Sequence, residues 1–178
     1  MIGPVLLLSG PRSLLMTTLS RLFLLTSLLL TGCAVPGDLG DGVIYSEDWR
    51  SKAAEELFAS YVANDVDGVG KWLVEGVTIG FNAEEVDKAT FLAAIPVRHG
   101  QFKDIKVSRI IKTLVYNDGM VFTNIWAQWQ GALRETGDEV KMPVQMWMTW
   151  QDGKIQHFQH YYDPAPMNAA LESIGASR

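Results

Sequence analysis

The chain has 178 residues, 48% of them hydrophobic and 20% charged, which is the composition of one folded domain rather than of a disordered or fibrous chain. With 15 basic against 20 acidic residues and no basic cluster, it lacks the positive surface a phosphate backbone requires, so no nucleic-acid partner is expected. A single cysteine excludes an intramolecular disulfide framework, a multi-cysteine zinc site and a CxxC redox pair.

Residues 1–32 contain no Asp or Glu, two arginines and many leucines. Arg21 followed by the apolar run Leu22 to Leu30 has the charged start and short hydrophobic stretch of a secretory signal. Arg21 and Pro11 interrupt the ~20 apolar residues that a spanning helix needs. The run closes in Leu30-Thr31-Gly32-Cys33, which resembles the lipobox of bacterial lipoproteins. That resemblance implies cleavage before Cys33 and a diacylglycerol on its sulfur. Several acyl chains give stable attachment, since each buried methylene contributes ~0.8 kcal/mol and one chain is marginal. Ala34 in place of Asp fits sorting to the outer membrane, so a lipid-anchored envelope protein facing the periplasm is expected. A start at Met16 also gives a complete leader.

Without the leader, 146 residues remain with 13 basic and 20 acidic side chains, a net charge of −7. Residues 33–45, rich in Gly, Pro and Asp, read as a flexible tether from Cys33. Residues 46–165 read as the domain and 166–178 as a C-terminal tail.

Within the domain the hydrophobic period changes from helical to alternating, which predicts an α+β fold with helices first. Ser46, Glu47 and Asp48 suit a helix start. Trp49, Ala53, Leu57, Phe58, Tyr61 and Val62 then share a face. After Asn64-Asp65-Val66-Asp67-Gly68, a short second helix is expected through Val69, Trp72 and Leu73, then a strand over Val77–Phe81. Glu84, Glu85 and Asp87 introduce a third helix with Phe91, Leu92 and Ile95 inside, ending near Pro96 and Gly100. Strands follow over 102–116, 120–131, 139–150 and 154–162. Asn117-Asp118-Gly119 and Asp152-Gly153 supply turn residues that tolerate positive φ. The short connections predict a strongly curved antiparallel sheet.

This order of elements, ending in Trp150-Gln151-Asp152-Gly153-Lys154-Ile155 and Tyr161-Tyr162-Asp163, resembles the SnoaL-like branch of the nuclear transport factor 2-like superfamily over about residues 47–165. The resemblance implies a cone-shaped roll, with a curved antiparallel sheet wrapped around three N-terminal helices and a pocket between them. Strand alternation turns Ile125 and Trp129, and then Met146, Met148 and Trp150, to one face. Alignment with the family's final hairpin places Phe158, His160 and Tyr162 inward. Leu57, Tyr61, Phe81 and Phe91 would close the cup from the helical side.

An apolar cup with adaptable methionines suits a small, largely apolar ligand, although each of these side chains also reads as ordinary core. His160 and Tyr162 are the candidate acid/base pair, and for His160 the reading as a core histidine bonded to a neighbour is the favoured one. The catalytic positions of the family's ketosteroid isomerases fall approximately on Leu57, Phe81 and Met146, none of which can do that chemistry. No known catalytic set is therefore expected. No cofactor is implied. No metal is expected either, because His157 and His160 face opposite sides of a strand and His99 stands apart.

The opposite sheet face carries Trp126, Gln128, Gln145, Trp147 and Tyr161, together with Asn124, Thr149 and Gln159. Such a face reads as a homodimer interface, with a carbohydrate platform as the competing assignment. Three functions stay open from sequence: a lipid-anchored small-molecule binder, an isomerase, cyclase or hydrolase using His160 and Tyr162, and an assembly module acting through Trp126 and Trp147.

Overall fold

The computed structural model describes residues 42–176. Cys33, the leader and most of the expected tether lie outside the described residues.

Helix α1 (Trp49–Val62) starts at Asp48, whose carboxylate accepts the Arg50 N–H at 2.8 Å. It buries Ala53, Ala54, Leu57 and Phe58 at the expected helical spacing. Trp49 instead stays largely exposed and packs edge-on against Trp150. Asn64 reverses the chain with φ 58, and Asp65 caps the five-residue α2 (Val66–Gly70) by accepting the Gly68 N–H at 2.9 Å. This helix is shorter than expected. Leu73, assigned to it from sequence, opens strand β2 (Leu73–Phe81).

A tight turn at Asn82, with φ 55, leads to β3 (Glu84–Val86). Glu84 and Glu85 therefore lie in a strand, and Asp87 caps α3 (Lys88–Gln101) through the Thr90 N–H. That helix continues past Pro96 to Gln101, because Phe91 and Ile95 stay anchored in the core on the preceding turns. Four strands follow: β4 (Phe102–Tyr116), β5 (Val121–Leu133), β6 (Glu139–Gln151) and β7 (Lys154–Tyr162).

The fold is α+β, with β1 (Gly42–Tyr45) and the six strands above in one sheet in the order β1-β4-β5-β6-β7-β2-β3. Long antiparallel hairpins join β4 to β7 in sequence, as expected. The pairing of β2 with β7 is parallel, setting Gly80 against Gln159 and Phe81 against His160. The helical segment and three intervening hairpins separate these strands in sequence, so no direct crossover is needed between them.

Two further segments depart from the expected boundaries. Gly42–Tyr45, the last four residues of the expected tether, form β1 and pair antiparallel with β4. The expected C-terminal tail contains α4 (Ala165–Ser173), which buries Met167 and Leu171 on its inner face. The i, i+4 spacing of those two residues is the helical signal. Each buried apolar side chain of this size contributes roughly 1.5–3 kcal/mol, enough to hold a nine-residue helix against the sheet.

The core runs between the helices and the concave sheet face, with Leu57, Leu73, Ile79, Phe102, Ile125, Met148, Ile155 and Phe158 among its most buried members. At one end a buried chain of hydroxyls ties α1 to the sheet. Ser51 Oγ lies 2.8 Å from Thr113 Oγ1, which lies 3.0 Å from Thr123 Oγ1. Thr123 Oγ1 also accepts the Trp150 Nε1–H at 2.9 Å. Among the described residues, no helix is long and apolar enough to cross a membrane.

Candidate functional site

A cavity of about 160 Å³ lies between the helices and the concave face. Helix α1 contributes Leu57, Phe58 and Tyr61, and α2 contributes Val69. Phe81 comes from the end of β2, Phe91 and Arg98 from α3, and Met167 from α4. The sheet supplies Val107, then Ala127 and Trp129, then Met142, Val144 and Met146, and finally Phe158, His160 and Tyr162. Period-two alternation explains the last three groups, since successive lining residues on each strand are two apart.

Of the residues singled out from sequence, Leu57, Tyr61, Phe81, Phe91, Trp129, Met146, Phe158, His160 and Tyr162 line this cavity. Ile125 and Met148 are fully buried core residues away from it. Trp150 is turned toward the hydroxyl chain, bonding Thr123. Alternation put these three on the concave face correctly, but the face is longer than the cavity. Sequence reasoning missed Arg98, which lies in the last turn, between the Pro96 and Gly100 that marked the expected helix end. It missed Met167 because the tail was not read as a helix.

His160 is the most constrained polar group of the site. Its Nδ1 donates to the Gly80 carbonyl at 2.9 Å, since a carbonyl can only accept. In the neutral ring this fixes the proton on Nδ1 and leaves a lone pair on Nε2. The imidazole stacks on Phe81 with centroids 4.6 Å apart and planes at 18°, and its centroid lies 4.1 Å from that of Phe158. Only 8% of the residue is exposed. Burial in this aromatic surround lowers its pKa to about 4, against a smaller raising effect of the Gly80 bond. At neutral pH it is uncharged.

Tyr61 Oη accepts the Trp129 Nε1–H at 3.0 Å, which leaves its own O–H available to donate. Burial raises its pKa, opposed by that hydrogen bond and by the positive charge of Arg98. Tyr162 is also raised by burial, opposed by Arg98 and reinforced by the negative charge of Glu84. Both phenols therefore stay protonated at neutral pH. The other two histidines are separate from this site: His99 Nε2 donates to the Tyr61 carbonyl at 2.8 Å, and His157 stacks on Trp147. Among the described residues, no group of three His, Cys, Asp or Glu side chains is placed to hold a metal.

On the opposite sheet face, Trp126 is 51% and Tyr161 47% exposed, and Gln128 is exposed as well. Register sets Trp126 across from Gln145, and Gln145 across from Tyr161, in one row. Trp147 is half-buried between Phe122 and His157. Gln159, expected on this open face, is buried instead. Its amide donates to the Asn82 and His160 carbonyls and lies over Gly80, which has no side chain to exclude it.

No family model matches the chain, and no curated protein does. Solved structures do. AclR of Streptomyces galilaeus, provisionally a hydroxylase, superposes with a TM-score of 0.60 at 15% identity, over 70% of this chain and 96% of its own. A provisionally assigned SnoaL-like polyketide cyclase from a Jannaschia species gives 0.56 at 17% identity, over 69% and 91%. A ketosteroid isomerase-like protein from Catenulispora acidiphila, solved with trimethylamine, gives 0.54 at 13% identity, over 71% and 94%. The domain thus shares the α+β fold of these SnoaL-like and ketosteroid isomerase-like structures. At these identities the likeness defines the fold, and function has to be argued from the site.

Proposed function

We propose that the domain binds a small, largely apolar molecule in the cavity, and that the mature protein is held at a bacterial membrane through lipid on Cys33. The observation that carries the first part is the pairing of an apolar, methionine-lined cavity with a few polar groups whose hydrogen-bonding roles are fixed. His160 offers an acceptor at Nε2, and Tyr61 offers a donor. The volume of about 160 Å³ is close to the ~150 Å³ of an engineered apolar cavity that takes up benzene. Native mass spectrometry of the full chain, gently purified in detergent, is expected to show one small-molecule adduct. A ligand-free mass that gains no adduct from aromatic or short-chain compounds would overturn the binding reading. The second part rests on Leu30-Thr31-Gly32-Cys33, and Cys33→Ala is expected to move the protein from the membrane to the soluble fraction.

An enzyme built on the same groups is the second reading. It is favoured by the unprotonated Nε2 of His160, which has the state required of a base. A conjugate acid of pKa about 4 makes that base weak, which is why binding is preferred. Should a turnover be found, loss of rate in His160→Gln would establish it.

A further inference from the structure

Among the cavity-lining residues one carries a fixed charge. Arg98, in the last turn of α3, is half-buried and reaches the otherwise uncharged lining. Its guanidinium has five N–H donors. The protein engages Nη1, toward Gln101 Oε1 at 3.1 Å and Met167 Sδ at 3.1 Å, and the guanidinium carbon lies 5.8 Å from the Phe102 ring centroid. Neither partner is anionic. Among the described residues, the ion pairs join other side chains and no carboxylate oxygen lies within 4.0 Å of Arg98. A cation at a helix C-terminus commonly meets the last carbonyls, but these bonds go to an amide and a thioether. The donors on Nε and Nη2 have no protein acceptor among the described residues.

We propose that the ligand of this cavity is a small organic acid, its anionic group held by Arg98 with Tyr61 and Tyr162 as hydroxyl donors, and its apolar body lying toward Met146 and Phe158. The inference rests on the binding reading above and narrows it to a chemical class. The three polar groups line the same cavity, and the charge of Arg98 acts on both phenols. Glu84 acts on Tyr162 with the opposite sign, which favours the Arg98 and Tyr61 side for the anion. The cavity leaves room for a body of about one aromatic ring. An arginine fork matches a carboxylate in two parallel hydrogen bonds, which a neutral amide cannot reproduce.

The test is a calorimetric titration of the full chain in detergent with phenylacetate and with its neutral isostere phenylacetamide. Phenylacetate is expected to bind at least about tenfold more tightly, the effect of one charge-assisted hydrogen bond. In Arg98→Gln that preference is expected to vanish. Equal affinities in the wild type would overturn the role of Arg98 and leave the apolar binding reading standing. Binding of neither compound would overturn both. An unchanged preference in a folded Arg98→Gln would also overturn the inference. The wild-type comparison needs no variant, so it decides even where Arg98→Gln fails to fold.

Discussion

The Nδ1 proton of His160 is held by the carbonyl of Gly80, 2.9 Å away across the parallel seam between β2 and β7. That one bond sets the tautomer of the most buried ionisable group in the cavity and turns its basic nitrogen away from the backbone. It also makes the site depend on a strand pairing between segments about 80 residues apart in sequence.

Stability is expected to fall as the pH is lowered because of His160. Its pKa is near 6.5 when unfolded and about 4 when folded, so between those values the unfolded state binds more protons. The stabilisation is complete above pH 6.5 and is lost progressively as pH falls through about 4. Urea unfolding at pH 7 and pH 5 should differ by the order of 2 kcal/mol from this residue. In His160→Gln the difference should shrink by that amount, whatever the variant's stability at pH 7.

Gly80→Ala is expected to loosen the same seam. A Cβ there would collide with the Gln159 amide, which donates to the Asn82 and His160 carbonyls. Displacing it strips the buried Gln159 amide of its two acceptors, at about 1–3 kcal/mol. Chemical denaturation should show that loss, and adding Gln159→Ala should recover part of it by removing the collision.

At the other end of the sheet, Thr123→Val keeps the shape of the side chain, orphans the Trp150 N–H and takes from Thr113 one of its two hydroxyl partners. A cost of about 1–3 kcal/mol is expected in the urea midpoint at unchanged m. Thr123→Ser, which restores the oxygen, should recover most of it.

The legible parts of this molecule are those written in local periodicity. Alternation on β5 and β6 turned Thr123, Ile125 and Trp129, and Met142, Met146 and Met148, toward the concave face, where all are buried. Gly119 and Gly153, at φ 89 and 78, occupy the two turns read from Asn-Asp-Gly and Asp-Gly. What local pattern could not carry was long-range pairing. Strand β1 is four residues whose partners begin at Tyr116, and its β-formers Val43, Ile44 and Tyr45 show no alternation with a buried face. Strand β2 was read over Val77–Phe81, but its parallel pairing with β7 was not, because that partner lies about 80 residues away. The cavity lining was read in part for a related reason. Its sheet side follows from alternation, whereas Arg98 and Met167 enter from helix turns whose existence depends on packing against the finished sheet.

The claim that matters most is that the cavity takes a ligand, and methionine methyl NMR tests it directly. Met142, Met146 and Met167 line the cavity, while Met148 is buried elsewhere in the core and Met120 is exposed. Titrating the full chain with toluene is expected to shift the first three methyl signals and leave those of Met148 and Met120 in place. Ala127→Phe, which fills the cavity from β5, should abolish the shifts. Methyl signals that do not move with toluene, or that move equally in Ala127→Phe, would contradict a ligand-binding cavity.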